Sequence, residues 1–122
     1  MKMIQFLLLV CVGALLLPGT SSADPAFAHV VIDNPTSTKI HYQLRWGDNA
    51  WKDMYLEAAH HMDHTYKYNP MGVLPPHISF VHAQGFEGGV SKSYKLDIGW
   101  DNAPVRYHFE RNNRGELDLY KG

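Results

Sequence analysis

The sequence has a single cysteine, Cys11, and it lies in a segment with the pattern of an N-terminal leader. A positively charged start, an apolar run and the small residues Ser21-Ser22-Ala23 predict a signal peptide over 1–23, with cleavage before Asp24. The expected mature chain, residues 24–122, then has no thiol. That excludes disulfide bonds, thiol redox chemistry, a cysteine nucleophile and cysteine-ligated zinc.

Long hydrophobic runs and clusters of positive charge are also missing. The apolar part of the leader is shorter than the roughly 20 residues that a membrane-spanning helix needs, so we expect no stable membrane anchor after cleavage. Lys and Arg number 11 against 12 Asp and Glu, and no segment concentrates them. This balance argues against a nucleic-acid partner. The leader predicts a secreted or periplasmic protein of one domain.

Catalytic motifs are absent from the sequence. It contains no Gly-x-Ser-x-Gly elbow, no phosphate-binding glycine loop and no His-Glu-x-x-His. The glycine-rich stretch 85–89 is expected to form a hairpin loop, and Asp97 and Asp101 are expected at a strand end and a turn. We therefore predict that the protein is not an enzyme.

The sequence does contain short segments of β-branched and aromatic residues, separated by turn signals. In the clearest, Ile40, Tyr42, Leu44 and Trp46 alternate with polar residues. The pattern predicts an all-β domain over 24–122: a single antiparallel β-sandwich of immunoglobulin-like type with seven to eight short strands. Outside the ambiguous segment 51–62, the expected strands are 27–33, 39–46, 77–82, 93–98, 105–109 and 116–120.

The segment 51–62 fits two conformations. Its apolar residues recur at helical spacing, and Leu56-Glu57-Ala58-Ala59 has high helix propensity. Strands are expected on both sides of it, and isolated helices of that length are marginal. We therefore favour two strands joined by a turn, with a single helix as the alternative.

Part of this hydrophobic pattern resembles the N-terminal half of small exported β-sandwich domains of bacteria. The matching positions are Asn34-Pro35-Thr36, Ile40, Tyr42, Leu44, Trp46, Trp51, Leu56 and a histidine near Tyr66. The resemblance implies the sandwich fold and export, and it carries no functional residues. Domains of that kind place Pro-Gly after the strand that ends at Leu56, where this chain has Ala58-Ala59.

Histidine is abundant, with eight in the chain, and three of the eight fall within five residues. Imidazole, thioether and carboxylate groups bind transition metals such as zinc and copper. The run that could supply them is His60, His61, Met62, Asp63 and His64. On a strand, alternate residues of the run share a face at about 6.6 Å; on a helix, residues four apart pair instead. A closed site needs additional ligands, the candidates being His41, His77 and His82. The alternatives are a solvated surface or a pH-responsive one.

Aromatic side chains give a further hypothesis. A carbohydrate-binding platform could be built from Tyr66, Tyr68, Trp100 and Tyr120, although a domain without cysteine also needs aromatics for its core. Size, export and the missing catalytic motifs lead to one main prediction. The protein is a non-enzymatic binding or interaction module for an unidentified ligand or protein partner, with metal binding and carbohydrate binding as alternatives.

Overall fold

Alternating apolar and polar residues form strands along most of the chain. The computed structural model describes residues 27–67, 72, 74–85 and 88–122, and these ranges contain nine strands and no helix. The predicted leader, 1–23, lies outside the described residues. The strands are β1 Phe27–Asn34, β2 Ile40–Trp46, β3 Lys52–Leu56, β4 His60–Lys67, β5 Pro76–Gly85, β6 Gly88–Lys95, β7 Gly99–Trp100, β8 Val105–Arg111 and β9 Leu117–Lys121.

The strands form two sheets around one hydrophobic core. The β1 sheet has the order β4-β1-β8-β9, and β7 also pairs with β1; the β2 sheet has the order β3-β2-β5-β6. Both sheets contribute buried side chains to the core, among them Val30, Ile32, Tyr42, Leu44, Ile78, Phe80 and Phe109. The predicted all-β sandwich is confirmed. In the described part of the chain, no helix has the length and hydrophobicity that crossing a membrane requires.

One strand pair departs from the predicted antiparallel arrangement. β1 and β8 run parallel, with Val30 opposite Val105, whereas the other ladders between described strands are antiparallel. The cause is β7, which pairs antiparallel with the start of β1 before the turn between Trp100 and Ala103 reverses the chain. Gly99 allows this approach, because a Cβ atom there would lie 2.3 Å from the Val105 backbone nitrogen.

The segment 51–62 forms two strands joined by a turn, as predicted. β3 pairs with β2 and β4 pairs with β1, so the turn carries the chain from one sheet to the other. The His60 amide donates to the Glu57 carbonyl at 3.2 Å. Ala59 has a φ of 61°, the left-handed region that glycine prefers. The turn therefore places an alanine at a position where glycine is favoured.

Asn34 holds this crossing in place. Its side chain is buried at 1% exposure, and its amide donates to the carbonyls of Thr38, Leu56 and Glu57. Its Oδ1 accepts hydrogen bonds from the backbone and the hydroxyl of Thr36. One buried amide thus joins the β1–β2 connection to the β3–β4 turn.

The later strands differ from the predicted bounds. The expected strand 93–98 is found as β6 at Gly88–Lys95, so it begins earlier and ends earlier, and β7 is a ninth strand that was not predicted. β6 is an edge strand, and its first residues have low strand propensity. Gly89 faces Val81, whose Cγ1 would lie 2.7 Å from a Cβ atom at residue 89. The expected hairpin between β5 and β6 is present, with Gly85 opposite Gly88.

Candidate functional site

Strand β4 divides the predicted metal ligands between two faces. Met62 and His64 turn inward, toward the core between the sheets, while His61 and Asp63 are exposed on the outer face. His60, the first residue of β4, is exposed and its Nδ1 lies 2.8 Å from the Ala58 carbonyl oxygen. The alternation expected of a strand is therefore present, and it separates the five residues.

His64 is the one histidine among the described residues that is buried in the core, at 6% exposure. Its Nε2 lies 2.6 Å from the hydroxyl of Tyr42, which comes from β2 in the opposite sheet. The two rings meet edge to face, with centroids 5.7 Å apart. The same hydroxyl lies 3.6 Å from the Sδ atom of Met62. A polar contact between the sheets is thus built from one tyrosine, one histidine and one methionine.

Burial keeps this pair neutral. It lowers the pKa of His64 to about 4, because the imidazolium form loses its hydration in the core. The nearby charge of Asp63 opposes that shift only in part. Burial also raises the pKa of Tyr42, so its hydroxyl keeps its proton. At neutral pH the contact is a hydrogen bond between two uncharged groups.

His64 lies at the wall of a cleft between the edge strands β3 and β4, which we call the β3–β4 cleft. It has a volume of about 330 Å³, and its lining includes Trp46, Asn49, Lys52, Met54, His64 and Tyr66. Trp46 and Tyr66 stack with centroids 5.2 Å apart and an angle of 26° between their planes. The rings belong to different sheets, so the stack joins the sheets and gives the cleft an aromatic wall.

Polar groups surround this aromatic wall. Asn49, in the turn after β2, donates from Nδ2 to the Tyr66 hydroxyl at 3.5 Å. Lys52 pairs with buried Leu44 across the β2–β3 ladder and is itself exposed. The guanidinium of Arg45 lies 4.5 Å from the centroid of the Trp51 ring. Arg45 alternates with Trp46 along β2, so this side chain lies on the opposite face of the strand, where its Nε is buried without a hydrogen-bond partner in the described structure. The cleft therefore combines ring surface with the hydrogen-bond donors of Asn49 and Lys52.

The outer face of the β1 sheet collects other histidines in an open groove. His60, His61 and His108 line it together with Asp33, and its volume is about 530 Å³. Arg106 donates two hydrogen bonds to the carboxylate of Asp33. Within the described ranges, no three His, Cys, Asp or Glu side chains are grouped to hold a metal ion.

The additional ligands that the sequence suggested lie elsewhere. His41, on β2, stacks on Tyr55 at 4.6 Å and hydrogen-bonds Asp53. His77 is half-buried on β5 opposite Arg45. The Nδ1 of His82 lies 2.6 Å from the Leu117 carbonyl oxygen. None of the three is brought to the inward-facing pair of β4.

The predicted carbohydrate platform is also divided. Tyr66 and Trp100 both lie beside buried Ala28 on the β1 sheet, whereas Tyr120 lies opposite His108 and is 48% exposed. Tyr68 lies outside the described residues. Of the four aromatics, Tyr66 lines the β3–β4 cleft.

Sequence reasoning missed the partners that complete the cleft. Trp46 was recognised as part of an alternating strand, but its stack with Tyr66 crosses between sheets. The same alternation includes Tyr42, but it does not predict the contact with His64 in the other sheet. The available signal was a polar side chain, His64, at an inward position of a strand.

Comparisons with known proteins support the fold alone. No family model matches the chain, and no curated protein matches it significantly. The chain is similar to a solved NMR structure of a protein from Eubacterium rectale, with 12% sequence identity and a TM-score of 0.51. The match covers 84% of this chain and 94% of that one.

Proposed function

We propose that this protein is an exported, non-enzymatic binding module whose ligand occupies the β3–β4 cleft. The observation that carries the proposal is a concave site in which the Trp46–Tyr66 stack adjoins the hydrogen-bond donors of Asn49 and Lys52. Ligand sites of small proteins typically combine an apolar wall with a few converging polar groups and a residue of perturbed pKa. His64 is that residue here.

A sugar ring is the ligand class that these groups favour. Its C–H face stacks on tryptophan and tyrosine, and its hydroxyl and ring oxygens accept hydrogen bonds from amide and ammonium groups. A volume of about 330 Å³ suits a small ligand.

Export and the finer fold assignment belong to the same proposal. The predicted signal peptide over 1–23 supports a secreted or periplasmic location, with no stable membrane anchor after cleavage. The two packed sheets of short strands support an immunoglobulin-like sandwich. The even balance of charge supports a partner other than nucleic acid.

The proposal is tested by titrating ¹⁵N-labelled protein, purified after export, with a panel of mono- and disaccharides while recording NMR spectra. We expect shifts to cluster at Trp46, Asn49 and Tyr66. A Tyr66→Leu variant should lose binding, while Tyr120→Leu, an exposed tyrosine on the outer face, should retain it. Shifts confined to the outer face, absence of binding across the panel, or turnover in a broad hydrolase screen would contradict the proposal.

A further inference from the structure

Two metal-binding atoms converge inside the sandwich on one point. The hydroxyl oxygen of Tyr42 lies 2.6 Å from Nε2 of His64 and 3.6 Å from Sδ of Met62. The thioether and the imidazole come from alternate residues of one strand face, so the backbone of β4 holds them together. We propose that Met62 and His64 form a binding site for a soft monovalent metal ion, Cu⁺ or its analogue Ag⁺.

The donor set selects this class of ion. Thioether sulfur and imidazole nitrogen are soft or intermediate ligands, and methionine in particular selects Cu⁺. A zinc site takes four ligands as a rule, and no group of three His, Cys, Asp or Glu side chains is placed to supply them within the described residues. Both donors are uncharged, so a monovalent cation introduces less charge into the core than a divalent one does.

The state of the side chains suits metal binding at neutral pH. A metal ligand must be deprotonated, and the Nε2 of buried His64 lies 2.6 Å from the Tyr42 hydroxyl, a group that can donate a hydrogen bond to a free lone pair. Its imidazole can carry its one proton on Nδ1, which leaves the Nε2 lone pair for the ion. Tyr42 remains a protonated phenol that gives up its hydrogen bond to His64 when the ion binds.

The ion has a path and the ligands have room to adjust. Bonds from zinc to nitrogen and sulfur are about 2.0–2.3 Å long, much shorter than the 3.6 Å between the Met62 sulfur and the Tyr42 hydroxyl, so the methionine sulfur must move toward the ion. Met62 is only partly buried, and methionine adapts through three rotatable bonds. His64 lines the β3–β4 cleft, which opens to solvent between two edge strands. Metal binding here does not depend on the cleft also binding a sugar.

The experiment is a titration with Ag⁺ of protein carrying ¹³C-labelled methionine methyl groups, followed by NMR. We expect the Met62 methyl and the His64 ring to shift together and to saturate at one ion per chain. Met62→Leu should weaken the affinity about 100-fold. The matched control is Ile98→Leu, which alters another partly buried side chain packed on the core without changing a metal ligand, and it should bind as the parent does.

A further pair of variants separates the inward site from the exposed histidines. Tyr42→Phe removes the hydroxyl that competes for Nε2 and should tighten binding about tenfold, because the ion no longer has to break one hydrogen bond. A His60→Ala/His61→Ala variant should bind unchanged. The proposal is overturned if Ag⁺ leaves the Met62 methyl unshifted, or if the His60/His61 variant loses the binding while Met62→Leu keeps it.

Discussion

The two faces of the β1 sheet place histidine in opposite chemical settings. On the inner face, His64 is buried against Tyr42, and burial lowers its pKa to about 4. On the outer face, His108 hydrogen-bonds the Glu110 carboxylate and the Gly122 carbonyl oxygen, and these contacts raise its pKa. The residue type is the same in both places, so the environment decides whether the neutral or the protonated form of the side chain is favoured. The face of the strand on which a histidine lies therefore decides its chemistry, and the number of histidines in the sequence does not.

The largest expected effect on stability comes from replacing a buried asparagine, Asn34, and it is compared with replacement of an exposed one, Asn112. Asn34→Ala leaves three carbonyls and the Thr36 donors without their partner at the sheet crossing, which should lower the free energy of unfolding by about 4 kcal/mol. The Asn112 side chain makes three hydrogen bonds in the exposed β8–β9 turn, against five for Asn34, and Asn112→Ala should cost less than about 1 kcal/mol. Urea denaturation of both variants checks the difference, and equal losses would contradict the assigned role of Asn34.

The second prediction concerns the pH dependence of stability. The folded pKa of His64 is about 4, against about 6.5 in the unfolded chain. The unfolded chain therefore binds more protons between these values. The contribution of His64 to the free energy of unfolding is fully present above pH 6.5. It falls by about 3 kcal/mol as the pH decreases toward 4.

Comparison of the parent protein with a His64→Gln variant isolates this contribution. Denaturation at several pH values should show a steep decline below pH 6.5 for the parent and a flatter curve for the variant. His108 acts with the opposite sign, because its raised pKa stabilises the fold at low pH and the benefit fades as pH rises. Parallel curves for the parent and the His64→Gln variant would refute the burial of a neutral His64.

A smaller effect is expected from removing single hydroxyls on the two faces. Tyr42→Phe leaves His64 Nε2 without its partner in the core and should cost about 1–2 kcal/mol. Tyr120→Phe, beside His108 on the outer face, should change stability by less than about 0.5 kcal/mol. Thermal unfolding of the two variants under identical conditions measures the difference, which should vanish if the inner contact is absent.

The smallest expected effect on stability comes from the β3–β4 turn, which determines which residues of β4 face the core. Ala59 has a positive φ of 61°, so Ala59→Gly relieves strain that exceeds the added entropy of glycine and should stabilise the protein by about 0.5 kcal/mol. Ala58 lies outside the left-handed region, and Ala58→Gly should instead destabilise. Denaturant midpoints of the two variants test this, and a gain from Ala58→Gly would mean that the turn has a different conformation.

Much of the fold follows from local sequence pattern. The alternation of Ile40, Tyr42, Leu44 and Trp46 is enough to predict β2 and its buried face, and the flanking strands decide the conformation of 51–62. The pattern fails where a strand carries few β-branched or aromatic residues, as at the start of β6. It also fails at β7, whose two residues are ordered by pairing with β1.

The site was less predictable, because its contacts join residues distant in the chain. Alternation predicted that His64 and Met62 share a face, yet only the packing of two sheets brings Tyr42 to them. The Trp46–Tyr66 stack likewise exists only once both sheets are in place. The sequence predicts Asn34 as a turn residue. Its role where the chain crosses between the sheets depends on hydrogen bonds to carbonyls more than 20 residues away.

The separation of the histidines by face is the central claim, and an NMR pH titration of all histidine rings tests it most directly. We predict that the His64 ring keeps its neutral chemical shift down to about pH 4, while the His108 ring titrates above the ordinary histidine value. A His64 ring that titrates near pH 6.5, the ordinary value for histidine, would contradict the claim, and with it the inward-facing site on β4.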